Sequence, residues 1–404
     1  MNIKALLKSL LLRRFSTVLL LLQLALTLGL IVNSVILALD TREKLLRPTG
    51  LALDNLLVVE SRPTSSAFKD KAYYRSIIDQ DLLKLGQIGG VKAVSPQIQL
   101  PIQNGGWRSN MHDVNDSPET EHDKELDVIA SYLSTPDALA SFGINILEGR
   151  ALTWADEAQD QENSEYNIVI SGSLAKALYP NQSAVGKLTN RGRIVGTVEN
   201  FINRPTLPDS KQFYFFMVAP IDNSAFTHYY LLNVESGQMA QVRAKVRDVI
   251  LGVQPERDIM DVYTMAERHS EYYQQDTGLA GLFTMLCILM LIVTAISSYA
   301  HAQFHISQQK KLIGIRRALG ARKKDILLYV LSENWLINVL GALLGIAFVI
   351  GFNMLLSAQI SISQPSIWLY LAVTLLVFVA GTIATWIPAY QTSKIPPVIA
   401  TRTV

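Results

Sequence analysis

The chain has 404 residues, 49% of them hydrophobic and 17% charged, with a formal net charge of +2 and a mean hydropathy of +0.23. So apolar a composition excludes disorder for most of the chain, and the near-neutral charge offers no basic stripe for nucleic acid. The single cysteine, Cys287, excludes an internal disulfide framework and a multi-thiolate zinc site.

Residues 1–14 carry Lys4, Lys8, Arg13 and Arg14 and read as a basic amphipathic segment. Phe15–Leu39 follows with no charge in 25 residues. That run is longer than the roughly 7–15 apolar residues of a cleaved signal peptide, so a retained first span over 15–39 is expected.

The stretch 40–276 reads as a mixed α+β domain. Leu56–Val59 predicts a strand, 70–88 a helix, and Val91–Pro96 a strand closed by Pro96. Asn167–Ile170 predicts a strand running into a helix from Gly172 to Tyr179. Strands at Ile194–Val198, Phe213–Val218 and Tyr229–Val234 and a helix at Met239–Leu251 complete the pattern. His112–Asp127 holds seven acids and two histidines, but it lacks the glycine that an EF-hand loop needs. It and the second acidic tract, Asp156–Glu165, read as solvated loops.

Gly278–Ala300 is free of charge, which places a second span at 277–300. From Asn334 to Ser393 there are 60 uncharged residues, interrupted by the polar stretch Ser357–Ser366. This predicts a third span at 334–357, a hairpin at 358–366, a fourth span at 367–388 and a tail at 389–404. Gly341 and Gly345 give the third span a GxxxG spacing, which lets helices approach closely. Ordinary membrane glycine usage produces the same spacing, and the sequence leaves both readings open. Gln23, Asn33, Thr284 and Asn353 are noted as polar residues of the spans. No Asp, Glu, His or Arg marks a proton or ion pathway within them.

Charge sets the direction. Residues 1–39 and 277–404 together carry thirteen Lys/Arg and two acids, Asp325 and Glu333, for a net +11. Residues 40–276 carry twenty-three Lys/Arg and thirty-two acids, for a net −9. Seven of the basic residues lie between the second and third spans and none in the 358–366 hairpin. The positive-inside rule then puts both termini and the connector 301–333 in the cytoplasm and 40–276 outside.

No GxxxxGK[ST], HExxH or GxSxG pattern occurs. Ser171-Gly172-Ser173 fits a helix N-cap better than a nucleophile. No catalytic residue, metal site or bound cofactor is expected, and ATP hydrolysis is expected on another chain.

The connector is the most specific segment. Ile313-Gly314-Ile315-Arg316-Arg317-Ala318-Leu319-Gly320-Ala321, followed by Arg322-Lys323-Lys324 and Asp325-Ile326-Leu327, resembles that of the FtsX-like, MacB-type ABC permeases. Ser134-Thr135-Pro136-Asp137, Leu147-Glu148-Gly149-Arg150, Ile168–Ser171, Val185-Gly186-Lys187 and Ile194-Val195-Gly196 follow the order of that family's periplasmic core. The tail from Pro388 looks like the family's ending, though Gln391, Thr392 and Ser393 stand where many relatives are arginine-rich.

The resemblance implies a membrane protein with four transmembrane α-helices and a large α+β periplasmic domain between the first two. It implies a core subdomain (41–105 with 205–276) and an inserted one (106–204). The implied partners are a cytoplasmic ABC ATPase dimer carrying ATP and magnesium, a second permease chain, a periplasmic adaptor and membrane lipid, with no nucleic acid. Residues 313–320 and 322–325 are the implied ATPase contact, with Gly314 and Gly320 allowing a tight turn. The expected activity is efflux of drugs, peptides or other small products. Lipoprotein extraction and activation of a periplasmic enzyme are the alternatives within the family. A sensor receptor would need a large cytoplasmic output domain, and the expected cytoplasmic pieces are short.

Overall fold

The computed structural model describes residues 14–103, 105–114, 126–157, 166–219, 228–357 and 366–394. Most of the basic N-terminal segment, most of the acidic tracts, the 358–365 stretch and the tail beyond 394 lie outside them.

Eleven strands are present among the described residues: β1 (Leu56–Pro63), β2 (Val91–Gln97), β3 (Arg108–Met111), β4 (Leu126–Ser134), β5 (Ile146–Gly149), β6 (Asn167–Ser171), β7 (Leu188–Thr189), β8 (Gly192–Val198), β9 (Tyr214–Val218), β10 (His228–Val234) and β11 (Arg257–Thr264). The helices are α1 (Arg14–Leu46), α2 (Lys71–Gly86), α3 (Ala138–Phe142), α4 (Gly172–Leu178), α5 (Met239–Val253), α6 (Met265–Tyr272), α7 (Gln274–Ala318), α8 (Lys323–Ser357) and α9 (Ile367–Ser393). They form two compact units, Lys44–Gln274 and Met1–Glu43 with Gln275–Val404.

The first unit is layered. Side chains alternate across a strand, so Leu56 and Val58 of β1 face one way and Leu57 and Val59 the other; all four are buried. β1 is therefore central, in an antiparallel sheet ordered β11-β1-β10-β2. On one face, Leu57, Val59 and Leu232 pack against Tyr74, Ile77 and Leu85 of α2 and Val242, Val246 and Ile250 of α5. On the other, Leu56, Val58 and Leu231 meet Tyr132, Phe142, Val169, Val198 and Phe216. Those residues line a second sheet ordered β3-β4-β9-β6-β8-β5, with β7 beside β8. Its far face is covered by Leu174 and Leu178 of α4, whose first turn Ser171 caps by accepting the Leu174 N–H at 3.3 Å.

The strand at 214–218 corrects the expected division. The implied core half, 205–276, includes it, yet β9 lies in the middle of the second sheet, parallel to β4 and antiparallel to β6. The run Tyr-Phe-Phe-Met-Val suits a strand covered on both faces, which is the place β9 takes in this sheet. Pro96 does not end β2, which runs on to Gln97. β2 is an edge strand, so the missing proline N–H costs no ladder bond. β3, β4, β5, β7, β11, α3 and α6 have no counterpart in the sequence reading.

The second unit is helical. Among the described residues, four helices are long and apolar enough to cross a membrane, over Thr17–Leu46, Gln274–Arg316, Lys323–Gly351 and Ile367–Ser393. They share a core of Leu20, Leu24, Leu28 and Ile31 from α1, Cys287 from α7, Ile337 and Val349 from α8, and Val373 and Val377 from α9. Leu282, Met285, Ile288, Ile292 and Ile296 of α7 are each more than half exposed, which in water would be costly and against lipid is not.

Candidate coupling site

The connector is not a separate helix. It is the meeting of two long ones: α7 runs unbroken through Gly314 to Ala318, and α8 restarts at Lys323. Gly314 therefore makes no turn. It is buried inside α7, within a run of good helix formers that tolerates one glycine. The turn falls on Gly320, whose φ of +98° is left-handed. Leu319 N–H bonds Ile315 C=O and Ala321 N–H bonds Arg316 C=O, both at 3.0 Å, closing the last turn of α7.

Asp325 has a defined local task. Its Oδ2 accepts the Arg322 N–H at 2.9 Å, half of a capping box at the start of α8, where a negative charge also suits the helix dipole. Ile313 and Ile326 turn inward and are nearly fully buried. Ile315, Arg316, Ala318, Arg322, Lys323 and Lys324 are exposed. Leu319, at the tip, is 83% exposed. Arg316 lays its guanidinium 4.5 Å from the centre of the Tyr329 ring. Arg317 is helical, and its side chain lies outside those described. The tip is thus a bare leucine among cations, beside the left-handed turn at Gly320.

The carrying helices are held by polar and small residues. A Cβ on Gly341 would lie 2.7 Å from Leu24 Cβ, and one on Gly345 would lie 3.1 Å from Ala25 O and Leu28 Cβ, so α8 lies close against α1 there. Thr27 and Thr294 share a hydrogen bond at 3.0 Å between α1 and α7. Asn334 Nδ2 donates to Gly381 O at 3.3 Å and Thr385 Oγ1 at 3.2 Å, joining α8 to α9. Asn338 fits beside Gly381, where a Cβ would come within 2.7 Å of its amide.

Of the polar residues noted from sequence, Asn33 and Thr284 bond to carbonyls of their own helices instead, and the side chain of Asn353 lies outside those described. Thr27, Thr294, Asn334 and Asn338 carry no mark in the sequence reading, nor do His305 and Glu333, whose side chains meet, buried, between α7 and α8. The available signal was that Glu333 is one of only two acids among the membrane-flanking cations.

Comparison with known proteins matches residues 19–249 to the MacB-like periplasmic core domain, more than half of the chain, and residues 284–397 to the FtsX-like permease C-terminal model. The chain belongs to the FtsX/MacB-type ABC permease family. Among its relatives, the macrolide export ATP-binding/permease protein MacB of Bdellovibrio bacteriovorus is 24% identical over 355 residues, covering 81% of this chain and 49% of that protein. The MacB protein of Bartonella henselae is 23% identical over 411 residues, covering 96% of this chain and 57% of that protein. The chain thus spans about half the length of the curated relatives it matches. The crystal structure of the periplasmic region of MacB from Actinobacillus actinomycetemcomitans aligns with a TM-score of 0.35 at 12% identity, over 56% of this chain and 97% of that one. This FtsX/MacB-type permease is a multi-pass inner-membrane protein whose α+β domain lies between its first two spans.

Proposed function

We propose that the chain is the permease subunit of an ABC transporter and couples ATP hydrolysis on a separate ATPase dimer to movement of its periplasmic domain. The observation that carries this is the α7–α8 hairpin. Its exposed tip of Leu319, Arg316, Arg322, Lys323 and Lys324 sits on two helices that continue into the membrane. The cationic flanks orient the hairpin to the cytoplasm, with both termini. Leu319 enters an apolar socket on the ATPase, and the surrounding cations meet acidic residues around it. α7 is about 68 Å long at 1.5 Å per residue, so a displacement at the tip is carried along one unbroken rod to Gln274, where the α+β domain begins.

A second permease chain completes the complex, and lipid covers the remaining apolar helix faces. The work is spent outside, driving drugs, peptides or other small products toward an adaptor protein. The scarcity of ionisable groups along the spans favours this mechanical route over passage through a polar membrane cavity.

The test is ATPase stimulation by the reconstituted permease. Leu319→Asp is expected to abolish both complex formation and stimulation, and Arg316→Glu with Arg322→Glu to weaken both. Full stimulation by Leu319→Asp would overturn the docking role.

A further inference from the structure

We infer that the buried His305–Glu333 contact is the joint that makes the α7–α8 hairpin move as one body; this rests on the coupling role proposed above. His305 Nε2 meets Glu333 Oε2, and both side chains are 95% buried. By helical rise the pair stands about 20 Å from the turn along α7 and about 15 Å along α8.

Around it the two helices touch through Ile306, Val330 and Leu331, and nearer the tip through Arg316 on Tyr329. Apolar contacts are non-directional and let one helix slide on another. A buried contact between two polar side chains is different, because separating the partners leaves polar groups stranded in an apolar interior.

Position adds to this. Glu333 and Asn334 are consecutive on α8 and reach different neighbours: Glu333 to α7, and Asn334 to Gly381 and Thr385 of α9. Three helices are therefore tied at one level, above a hairpin that reaches beyond it. A push on the tip cannot move α8 without α7. The two groups act through the hairpin, as positioning residues.

The experiment uses the full chain with its ATPase in nanodiscs, in a Cys287→Ala background. Nitroxide labels are placed at Leu312→Cys and Leu328→Cys, both exposed positions of the hairpin. Distances between labels and ATPase stimulation are read together. With the pair intact, one narrow distance distribution is expected. His305→Gln or Glu333→Gln should broaden it and lower stimulation about fivefold, within the range by which single residues alter coupling. The exchanged pair, His305→Glu with Glu333→His, should restore both readings. An oxidised disulfide from His305→Cys with Glu333→Cys, made without the labels, should preserve stimulation, and its reduction should lower it.

A narrow distribution in the single variants would overturn the joint. So would broadening with stimulation unchanged, or failure of the exchanged pair to restore either reading. A Leu319→Asp arm separates the two ideas: if it too leaves stimulation intact, the docking role has failed rather than the joint alone.

Discussion

At the scale of single residues, the α+β domain places its charges where hydrogen bonds saturate them. Asp156 accepts from both Arg150 Nη atoms at 2.7 Å, from the Thr153 N–H at 2.8 Å and hydroxyl at 2.9 Å, and from Asn167 Nδ2 at 2.7 Å. The Arg150 guanidinium above all, with the Thr153 and Asn167 donors, holds this carboxyl well below the usual carboxylate range. A depressed folded-state value means that the stabilisation is present above the unfolded value near 4 and fades as pH falls toward the folded one. Asp156→Asn should cost about 2 kcal/mol at neutral pH, and the difference from the parent should shrink at about pH 2. Urea titration in micelles at the two pH values measures it.

Asp81 and Arg257 make the opposite case, an ion pair out of water. Asp81 also accepts from Tyr230 at 2.5 Å, and Arg257 donates to Ile250 C=O at 2.5 Å. Asp81→Asn leaves the guanidinium buried and unpaired and should cost about 3–5 kcal/mol. Replacing both residues, Asp81→Leu with Arg257→Met, should recover much of that loss in the same titration.

At the scale of elements, two glycines set how the helices meet. Gly341 has no room for a side chain against Leu24, so Gly341→Val should force α1 away from α8 at a cost of about 1–3 kcal/mol. Hydrogen exchange at residues 20–32 should rise in that variant and not in Gly351→Ala, where nothing lies near.

What the sequence made legible at this scale follows from periodicity. The helix at 71–86 and the strands at 91–97, 192–198 and 228–234 carry clear patterns and appear near their expected places. β3 reads Arg-Ser-Asn-Met and β5 Ile-Leu-Glu-Gly, too short and mixed for any period to emerge. Gly320 was readable as a turn because only a left-handed residue closes α7 there. Gly314, in the same motif, has no local mark that separates a turn glycine from a helical one. Asp325 reads in the sequence only as part of the implied ATPase contact, because a cap is known only once the helix start is known. His305 and Glu333 are 28 positions apart, and only the folded hairpin brings them together.

At the scale of the whole molecule, the two compact units each have their own core. Urea should therefore unfold Lys44–Gln274 in a transition of its own while the helices persist in detergent. Near-ultraviolet dichroism from the buried Tyr74, Tyr132, Tyr214 and Tyr230 would then be lost at a lower denaturant concentration than most of the far-ultraviolet helical signal; one coincident transition would refute this.

The topology of the α+β domain also dictates an order of events as the chain folds. β2 and β10 are paired neighbours, with Gln97 opposite Tyr229, although the whole second sheet lies between them in sequence. β1 must wait longer still for its partners β10 and β11. Closing so long a loop from an open chain is entropically unfavourable and slow. If 108–218 folds first, it draws its own two ends near each other and shortens that search. The inserted sheet would then act as the template on which the earlier and later segments of the chain find each other.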